Sequence, residues 1–253
     1  MKENIKIYLL AYPDNPVGTI FIKTLLRKNI PIEGIIVENK KTKNNWLRFK
    51  KKIRKDGLAR ALHRFFQVFF LRLTGRNVIG LAKKNDIKVY RVDKFNSRIT
   101  EELLLLLRVD LLVIVSAPIL KDYIFKKARL GCLNAHPGWL PKYRGLGANA
   151  YAIKNGDSPG VTVHFIDEGI DTGRIIVREK IKIKKGDTIA RINDRAMARG
   201  AEMMADVIYK IMKDELEVMK IDEPCGENYR SMPYKEVRKL NRALRKYGGN
   251  HAI

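Results

Sequence analysis

The alternation of short apolar runs with longer amphipathic stretches is the strongest constraint on the fold. The first run, Ile5–Leu10, is followed by a helical pattern over Val17–Lys28 and, after Pro31, by a second apolar run, Ile32–Glu38. Such alternation predicts βαβ units, in which the strands are parallel and the helices cover the sheet. We therefore expect an α/β fold of the Rossmann-like, doubly wound type, with a mainly parallel sheet and helices on both faces.

The same alternation continues along the chain. Further strands are predicted at Ile87–Arg91, Leu111–Val115, Gly131–Ala135, Val161–Ile166 and Ile175–Ile183. Further helices are predicted at Ile99–Leu107, Ile119–Lys127, Ala148–Lys154, Thr188–Met212 and Tyr234–Lys246. Ligands of open α/β sheets bind beyond the carboxyl ends of the strands, so the residues that follow each apolar run are the candidates for a site.

Length and composition indicate one large domain with an appendage. The chain has 253 residues, of which 45% are hydrophobic, enough for a buried core. We expect a catalytic domain over residues 1–220, with a basic helical insertion at about 40–76, and a short extension over 221–253 that is turn-rich and then helical. Cys132 and Cys225 lack metal-ligand spacing, which indicates reduced thiols in a cytoplasmic protein.

Charge is the second conspicuous property. The formal net charge is +24, which permits binding to nucleic acid, to an anionic membrane or to phosphorylated small molecules, and discriminates poorly among them. A lysine-rich composition can also reflect the habits of the source organism.

The insertion contains an unusual helix. Its second half, LARALHRFFQVFFLRLTG, places Arg60, His63, Arg64 and Gln67 on one helical face and apolar side chains around the rest. Such a helix needs to be covered. We expect the helix within 46–73 to pack on the domain or on a second subunit, forming a homodimer, in preference to lying on an anionic membrane.

A candidate reaction site follows the run that ends at Asn134. In extended chain, Asn134 and His136 point to the same side. An amide can donate to a carbonyl oxygen that becomes negative, and an imidazole can donate to it or exchange a proton near neutral pH. Pro137 ends the strand, so we expect the His136 ring at the mouth of the fold.

The site also needs an acid to orient or protonate the imidazole. Asp171, in a loop flanked by glycines, is the best-placed candidate, and Asp167 is its competitor. A carboxylate beside the ring is expected to raise the pKa of His136. The four histidines are too scattered to indicate a metal cluster, and His164, within the strand pattern VTVHFI, is expected to be structural.

These residues belong to a larger pattern that resembles the folate-dependent formyltransferase family. That family includes glycinamide ribonucleotide formyltransferase, the amino-terminal domain of methionyl-tRNA formyltransferase and the sugar N-formyltransferases. The matching positions are Asn134, His136, Pro137, Leu140, Pro141, Arg144, Gly145, Asp171, Gly173 and Ile175. Gly138 and Trp139 depart from the Ser and Leu that are usual in the family.

The resemblance implies a 10-formyltetrahydrofolate-dependent N-formyltransferase without a metal. Asn134 would hold the formyl oxygen, His136 would stabilise the tetrahedral intermediate, and Asp171 would pair with His136 and take the amine proton through a water. The resemblance also implies a folate pocket between residues 116–120 and 165–171. Its expected members are Ser116, Ala117, Pro118, Ile119, Leu120, Ile166, Asp167 and Gly169.

The resemblance leaves the acceptor amine open. The first βα turn, AYPDNPVG, lacks the Gly-rich loop that binds phosphate in glycinamide ribonucleotide formyltransferases. The tail is also shorter than the β-barrel domain that methionyl-tRNA formyltransferases use for tRNA. We therefore expect a small-molecule acceptor, an amino sugar of a nucleotide-linked sugar. The alternatives are formylation of aminoacyl-tRNA, formylation of glycinamide ribonucleotide, and a folate-binding module without activity.

Overall fold

A computed structural model describes residues 5–38 and 58–246 of the chain. Residues 40–57, in which the first part of the predicted insertion falls, lie outside this described part, as do the side chains of Arg60, His63 and Arg64. The chain divides between Cys132 and Leu133 into an amino-terminal and a carboxyl-terminal unit.

The amino-terminal unit contains four parallel strands in the spatial order β3-β2-β1-β4. They are β1 (Ile7–Ala11), β2 (Gly34–Glu38), β3 (Lys88–Val92) and β4 (Leu111–Ile114). All residues of β1 and β4 are buried, and both strands carry apolar side chains on both faces of the sheet.

Five described helices accompany these strands. They are α1 (Pro16–Arg27), α2 (Leu58–Leu73), α3 (Val78–Lys84), α4 (Arg98–Leu107) and α5 (Asp122–Phe125). The start of α1 is fixed locally: Asn15 Oδ1 accepts the Val17 N–H at 2.9 Å, and Pro16 occupies the first turn, where no partner for its nitrogen is needed. Helix α1 packs on both α2 and α3.

The carboxyl-terminal unit carries antiparallel strands in the order β5-β7-β8. These are β5 (Gly131–His136, which begins two residues before the unit), β7 (Gly160–Phe165) and β8 (Ile175–Lys180). The short strands β6 (Arg144–Gly145) and β9 (Asn228–Tyr229) pair in parallel. The helices are α6 (Ala148–Lys154), α7 (Ile189–Lys213) and α8 (Tyr234–Lys246).

The observed elements confirm most of the sequence pattern, including the α/β class, the βαβ start and a helix within residues 46–73. The predicted helix Ile119–Lys127 is wrong, since only Asp122–Phe125 is helical. Asn96 explains this: its side chain bonds the Ile119 carbonyl at 2.9 Å and the Lys121 N–H at 2.9 Å, which holds the segment extended.

Strand β8 is shorter than predicted, and α3, β6 and β9 were not anticipated. Among the described helices, none is long and apolar enough to cross a membrane.

Candidate active site

Two antiparallel strands bring the predicted amide and imidazole next to a second imidazole. In the β5–β7 ladder, Asn134 is opposite His164 and His136 is opposite Thr162. Directly opposed residues place their side chains on the same face of a sheet. The prediction that Asn134 and His136 face one site therefore extends to His164, whose Nε2 is 3.2 Å from the Asn134 amide nitrogen.

The Asp171 carboxylate lies between the two histidines. Its Oδ2 is 3.3 Å from His136 Nδ1, and its Oδ1 is 3.6 Å from His164 Nε2. Asp171 thus occupies the position predicted for the acid. The competitor Asp167 bonds within its own loop instead, accepting the Thr172 hydroxyl at 2.6 Å and the Gly169 N–H at 3.1 Å.

The backbone around Asp171 is shaped to present its carboxylate. Asp171 has a φ of +53°, in the left-handed region, which Asp adopts more readily than most residues. The Gly145 N–H donates to Asp171 Oδ2 at 2.9 Å. Gly145 itself has a φ of +79°, and a Cβ there would lie 2.3 Å from Asn228 Oδ1. Position 145 therefore requires glycine.

His136 is buried, with 4% of its surface exposed, so the expectation of a ring at the mouth of the fold is wrong. Its Nε2 lies 3.0 Å from the Tyr143 carbonyl oxygen, which can only accept, so Nε2 carries a hydrogen. In the neutral ring Nδ1 then carries no hydrogen and faces Asp171 Oδ2, so it can take up a proton that reaches the carboxylate. Such a pair can store and release a proton.

The expected rise in the pKa of His136 is also wrong. Burial lowers the pKa of the His136 imidazole, and the nearby Asp171 carboxylate and Tyr143 carbonyl only partly oppose this. The reason is that the ring lies beneath the surface, where the charged form loses its hydration.

His164, which the sequence indicated as a structural residue, is a member of the site. Its Nδ1 lies 2.7 Å from the Phe165 carbonyl, and its Nε2 is the atom beside Asn134. The ring is therefore assigned as neutral, with its hydrogen on Nδ1 and its Nε2 accepting from the Asn134 amide. Burial lowers the pKa of His164 to about 4, against the opposing Asp171 charge. The antiparallel pairing of β7 with β5 is what identifies His164 as a site residue. The sequence pattern of β7 does not show which strand it pairs with.

Gly138, one of the two departures from the family pattern, has a steric reason. A Cβ at Gly138 would lie 2.4 Å from His136 Nε2 and 2.7 Å from the Ala148 Cβ. The loop after β5 is held by buried Thr162, whose hydroxyl donates to the Gly138 carbonyl at 2.7 Å and accepts the Leu140 N–H at 3.2 Å. The loop therefore lies so close to the His136 ring that only glycine fits.

The residues expected to bind folate are divided between the two units. Ser116, Ala117, Pro118, Ile119 and Leu120 belong to the amino-terminal unit, and Ile166, Asp167 and Gly169 belong to the carboxyl-terminal unit. Ser116 Oγ accepts the Tyr12 N–H at 3.0 Å, Leu120 is buried, and Ile119 is 71% exposed. This pocket stays a prediction. In the described ranges, no group of three or more His, Cys, Asp or Glu could hold a metal.

Asn134, His136, His164 and Asp171 together combine an amide donor, two imidazoles and a carboxylate. An amide N–H can stabilise a developing oxyanion, and a carboxylate paired with an imidazole can accept and return a proton. This set of groups suits addition to a carbonyl followed by loss of a leaving group.

Comparison with known protein sequences gives a family. Residues 50–208 match the family model described as formyl transferase. The methionyl-tRNA formyltransferase of Clostridium tetani (strain Massachusetts / E88) is 32% identical over 166 residues, 64% of this chain and 53% of that protein. The chain spans about half the length of the curated relatives it matches.

Comparison with solved structures shows the same fold. Glycinamide ribonucleotide transformylase 1 from Symbiobacterium toebii matches with a TM-score of 0.61 at 20% identity, covering 85% of this chain and 90% of that chain. The N-formyltransferase from Helicobacter canadensis in complex with folinic acid and dTDP-3-aminofucose matches with a TM-score of 0.57 at 19% identity, covering 95% and 81%.

Proposed function

The chain belongs to the formyl transferase family, and from this we propose that it transfers a formyl group from 10-formyltetrahydrofolate to a primary amine, that of an amino sugar carried on a nucleotide. The observation that carries the reaction type is the convergence of Asn134, His136 and His164 on Asp171. The acceptor rests on separate arguments, given below.

10-Formyltetrahydrofolate supplies an activated formyl carbon, which the acceptor nitrogen attacks. The Asn134 amide nitrogen has two hydrogens; one is directed to His164, and the other donates to the formyl oxygen as it becomes negative. The acceptor nitrogen forms the new C–N bond, and the bond from the formyl carbon to N10 of the folate breaks.

The reaction moves one proton from the attacking amine to the departing folate nitrogen. Asp171 accepts the amine proton through a water and shares it with His136 Nδ1 at 3.3 Å. His136, once protonated, places a positive charge beside the oxyanion and then returns the proton through Asp171. His164 fixes the Asn134 amide, and its low pKa keeps it a neutral acceptor.

Two observations support an amino sugar. The likeness to the Helicobacter canadensis enzyme, whose structure contains dTDP-3-aminofucose, extends over 95% of this chain. The start of α1 is unsuited to the phosphate of glycinamide ribonucleotide, because Asn15 already occupies the Val17 N–H and Pro16 has no N–H. Asp14 adds a negative charge at the same turn.

The test is an acceptor panel. The protein is incubated with 10-formyltetrahydrofolate and, in parallel, with a dTDP-linked amino sugar, glycinamide ribonucleotide or methionyl-tRNA, and formylated products are identified by mass spectrometry. The proposal expects product with the amino sugar alone. Product with none of the amines would contradict the enzymatic proposal.

Methionyl-tRNA is the second candidate, favoured by the names of the curated relatives and by the formal charge of +24. It predicts tRNA binding that weakens steeply as salt increases, because released counterions drive such binding. Formylation of methionyl-tRNA without formylation of the sugar would contradict the proposed acceptor. It would still support the proposed formyl transfer.

A further inference from the structure

Helix α2 carries six of the fourteen exposed large hydrophobic side chains in the described part of the chain. The exposed side chains on it are Leu62 (38%), Phe65 (56%), Phe66 (62%), Phe69 (52%), Phe70 (60%) and Leu73 (71%). These six residues are called the α2 apolar face below. At 3.6 residues per turn their spacing of three or four places them on one side of the helix, within an arc of roughly 140°.

The α2 apolar face points away from the rest of its unit. Helix α2 packs on α1, and Val68 and Leu71, which lie on other sides of the helix, are half-buried. The aromatic rings instead contact one another: Phe65 and Phe66 meet edge to face at 5.8 Å between centroids, and Phe65 and Phe69 are stacked at 6.5 Å. All six side chains are exposed in the described part of the chain, and a cluster of exposed apolar side chains indicates a binding surface.

The charges of α2 and of the helices near it define that partner. Helix α2 itself contains Arg60, Arg64 and Arg72 and no Asp or Glu. Exposed Lys23 lies on α1, which packs on α2, and exposed Lys83 and Lys84 lie at the end of α3, which packs on α1. A complementary partner is apolar at its centre and anionic around it.

We propose that α2 binds the surface of a bilayer that contains anionic lipids, with the α2 apolar face inserted among the upper acyl chains. Helices with Phe and Leu on one face and Lys or Arg around the other bind membranes in this orientation, parallel to the surface. Anionic headgroups attract the basic residues, and the acyl chains take the aromatic rings out of water. The enzyme would then work at a membrane without spanning it.

A second copy of the chain is a poorer occupant. Pairing two α2 apolar faces would bring together two helices that each carry three arginines and no acidic residue, and like charges at close range repel. A nucleic acid would satisfy the charge but would leave the four exposed phenylalanines of α2 in water.

Flotation of the whole protein with phospholipid vesicles tests the proposal. One set of vesicles is phosphatidylcholine alone, and the other contains phosphatidylglycerol. We expect binding to the anionic vesicles at least roughly tenfold above binding to the neutral ones. The double variant Phe66→Gln, Phe69→Gln should lose roughly tenfold or more of this binding, because apolar insertion is removed while the charge is kept.

Leu106→Gln is the matched control, since Leu106 is 79% exposed on α4 and is not part of the α2 apolar face. It should bind vesicles like the unchanged protein, and circular dichroism should show all three proteins folded. Equal vesicle binding by the double variant would overturn the proposal. A second result would also overturn it: the unchanged protein sediments as a dimer and does not bind vesicles, and the double variant is a monomer. That result would assign the face to a second copy. RNA binding that depends on Phe66 and Phe69, again without vesicle binding, would equally overturn it.

Discussion

At the scale of single residues, the site depends on Asp171 being shared by two buried imidazoles. Its Oδ2 is bonded by the Gly145 N–H and faces His136, while its Oδ1 faces His164. Across the described residues, no buried side-chain nitrogen or oxygen lacks a hydrogen-bond partner. Because each group is hydrogen-bonded to another, a substitution at one residue is expected to change the protonation state of its neighbours.

The neutral state of His164 makes stability depend on pH. Its pKa is lowered from 6.5 to about 4 by burial, so between these values the unfolded chain binds a proton that the folded chain does not. The free energy of unfolding should therefore fall as the pH falls from about 6.5 towards 4, with His164 contributing at most about 3 kcal/mol. Urea unfolding at several pH values, compared with His164→Gln, measures this contribution. An unchanged pH slope in the variant would show that His164 does not titrate in this way.

The contact between Gly138 and His136 predicts that Gly138→Ala damages both stability and turnover. A Cβ would lie 2.4 Å from His136 Nε2, so the ring or the loop must shift, at a cost of about 1–3 kcal/mol. The control is Gly186→Ala, where a Cβ meets no atom within 4 Å and only the φ of +76° is strained. The control should lose about 1–2 kcal/mol in urea unfolding and keep its turnover. Full activity in Gly138→Ala would contradict the geometry of the loop.

Part of the site could be predicted from single residues. The motif around Asn134 and His136, with Asp171 in a Gly-flanked loop, indicated three groups that the structure brings together. His164 could not be assigned, because its role depends on which strand pairs with β7. The low pKa of His136 could not be predicted either, since burial is set by tertiary packing around the ring.

At the scale of elements, the short strand pair β6–β9 holds the site in place. Arg144 donates to the Gly226 carbonyl through Nη2 at 2.8 Å, and Leu146 N–H donates to the Tyr229 carbonyl at 2.8 Å. The adjacent Gly145 N–H is the one that bonds Asp171. The carboxyl-terminal extension therefore fixes the segment that orients the carboxylate.

Tyr229 should accordingly matter for activity although it lies outside the predicted catalytic domain. Its ring stacks on Tyr151 at 4.2 Å and on Tyr143 at 5.8 Å, and the Tyr143 carbonyl accepts from His136. We expect Tyr229→Ala to lose about 2–4 kcal/mol of unfolding free energy and to lower kcat. Tyr234→Ala, at a 39% exposed tyrosine at the start of α8, is the control and should change neither. Unchanged kcat in folded Tyr229→Ala would contradict a positioning role for β9.

The elements that the sequence missed share a physical cause. Strands β6 and β9 have two residues each, too short for an alternating pattern, and exist because they pair with each other. The segment Ile119–Lys127 has helical periodicity, but the Asn96 side chain takes its backbone groups. In both cases a distant partner decides the local structure.

At the scale of the whole molecule, the chain combines a family fold with an unusual surface. The proposed catalytic residues lie in the carboxyl-terminal unit, and the α2 apolar face lies in the amino-terminal unit. The alternating pattern predicted the fold because it records burial on both faces of the strands. It did not predict the exposure of α2, because an amphipathic pattern does not tell which face meets the protein.

The most direct test of the central claim is the turnover of Asp171→Asn with 10-formyltetrahydrofolate and the acceptor amine. Asn has nearly the same shape but cannot take up a proton, so kcat should fall roughly 10²–10⁴-fold. Asp222→Asn, at an exposed carboxylate of the same unit, should retain the kcat of the unchanged protein. A folded Asp171→Asn protein with kcat within about threefold of the unchanged protein would contradict the assignment of Asp171 as the group that accepts the proton.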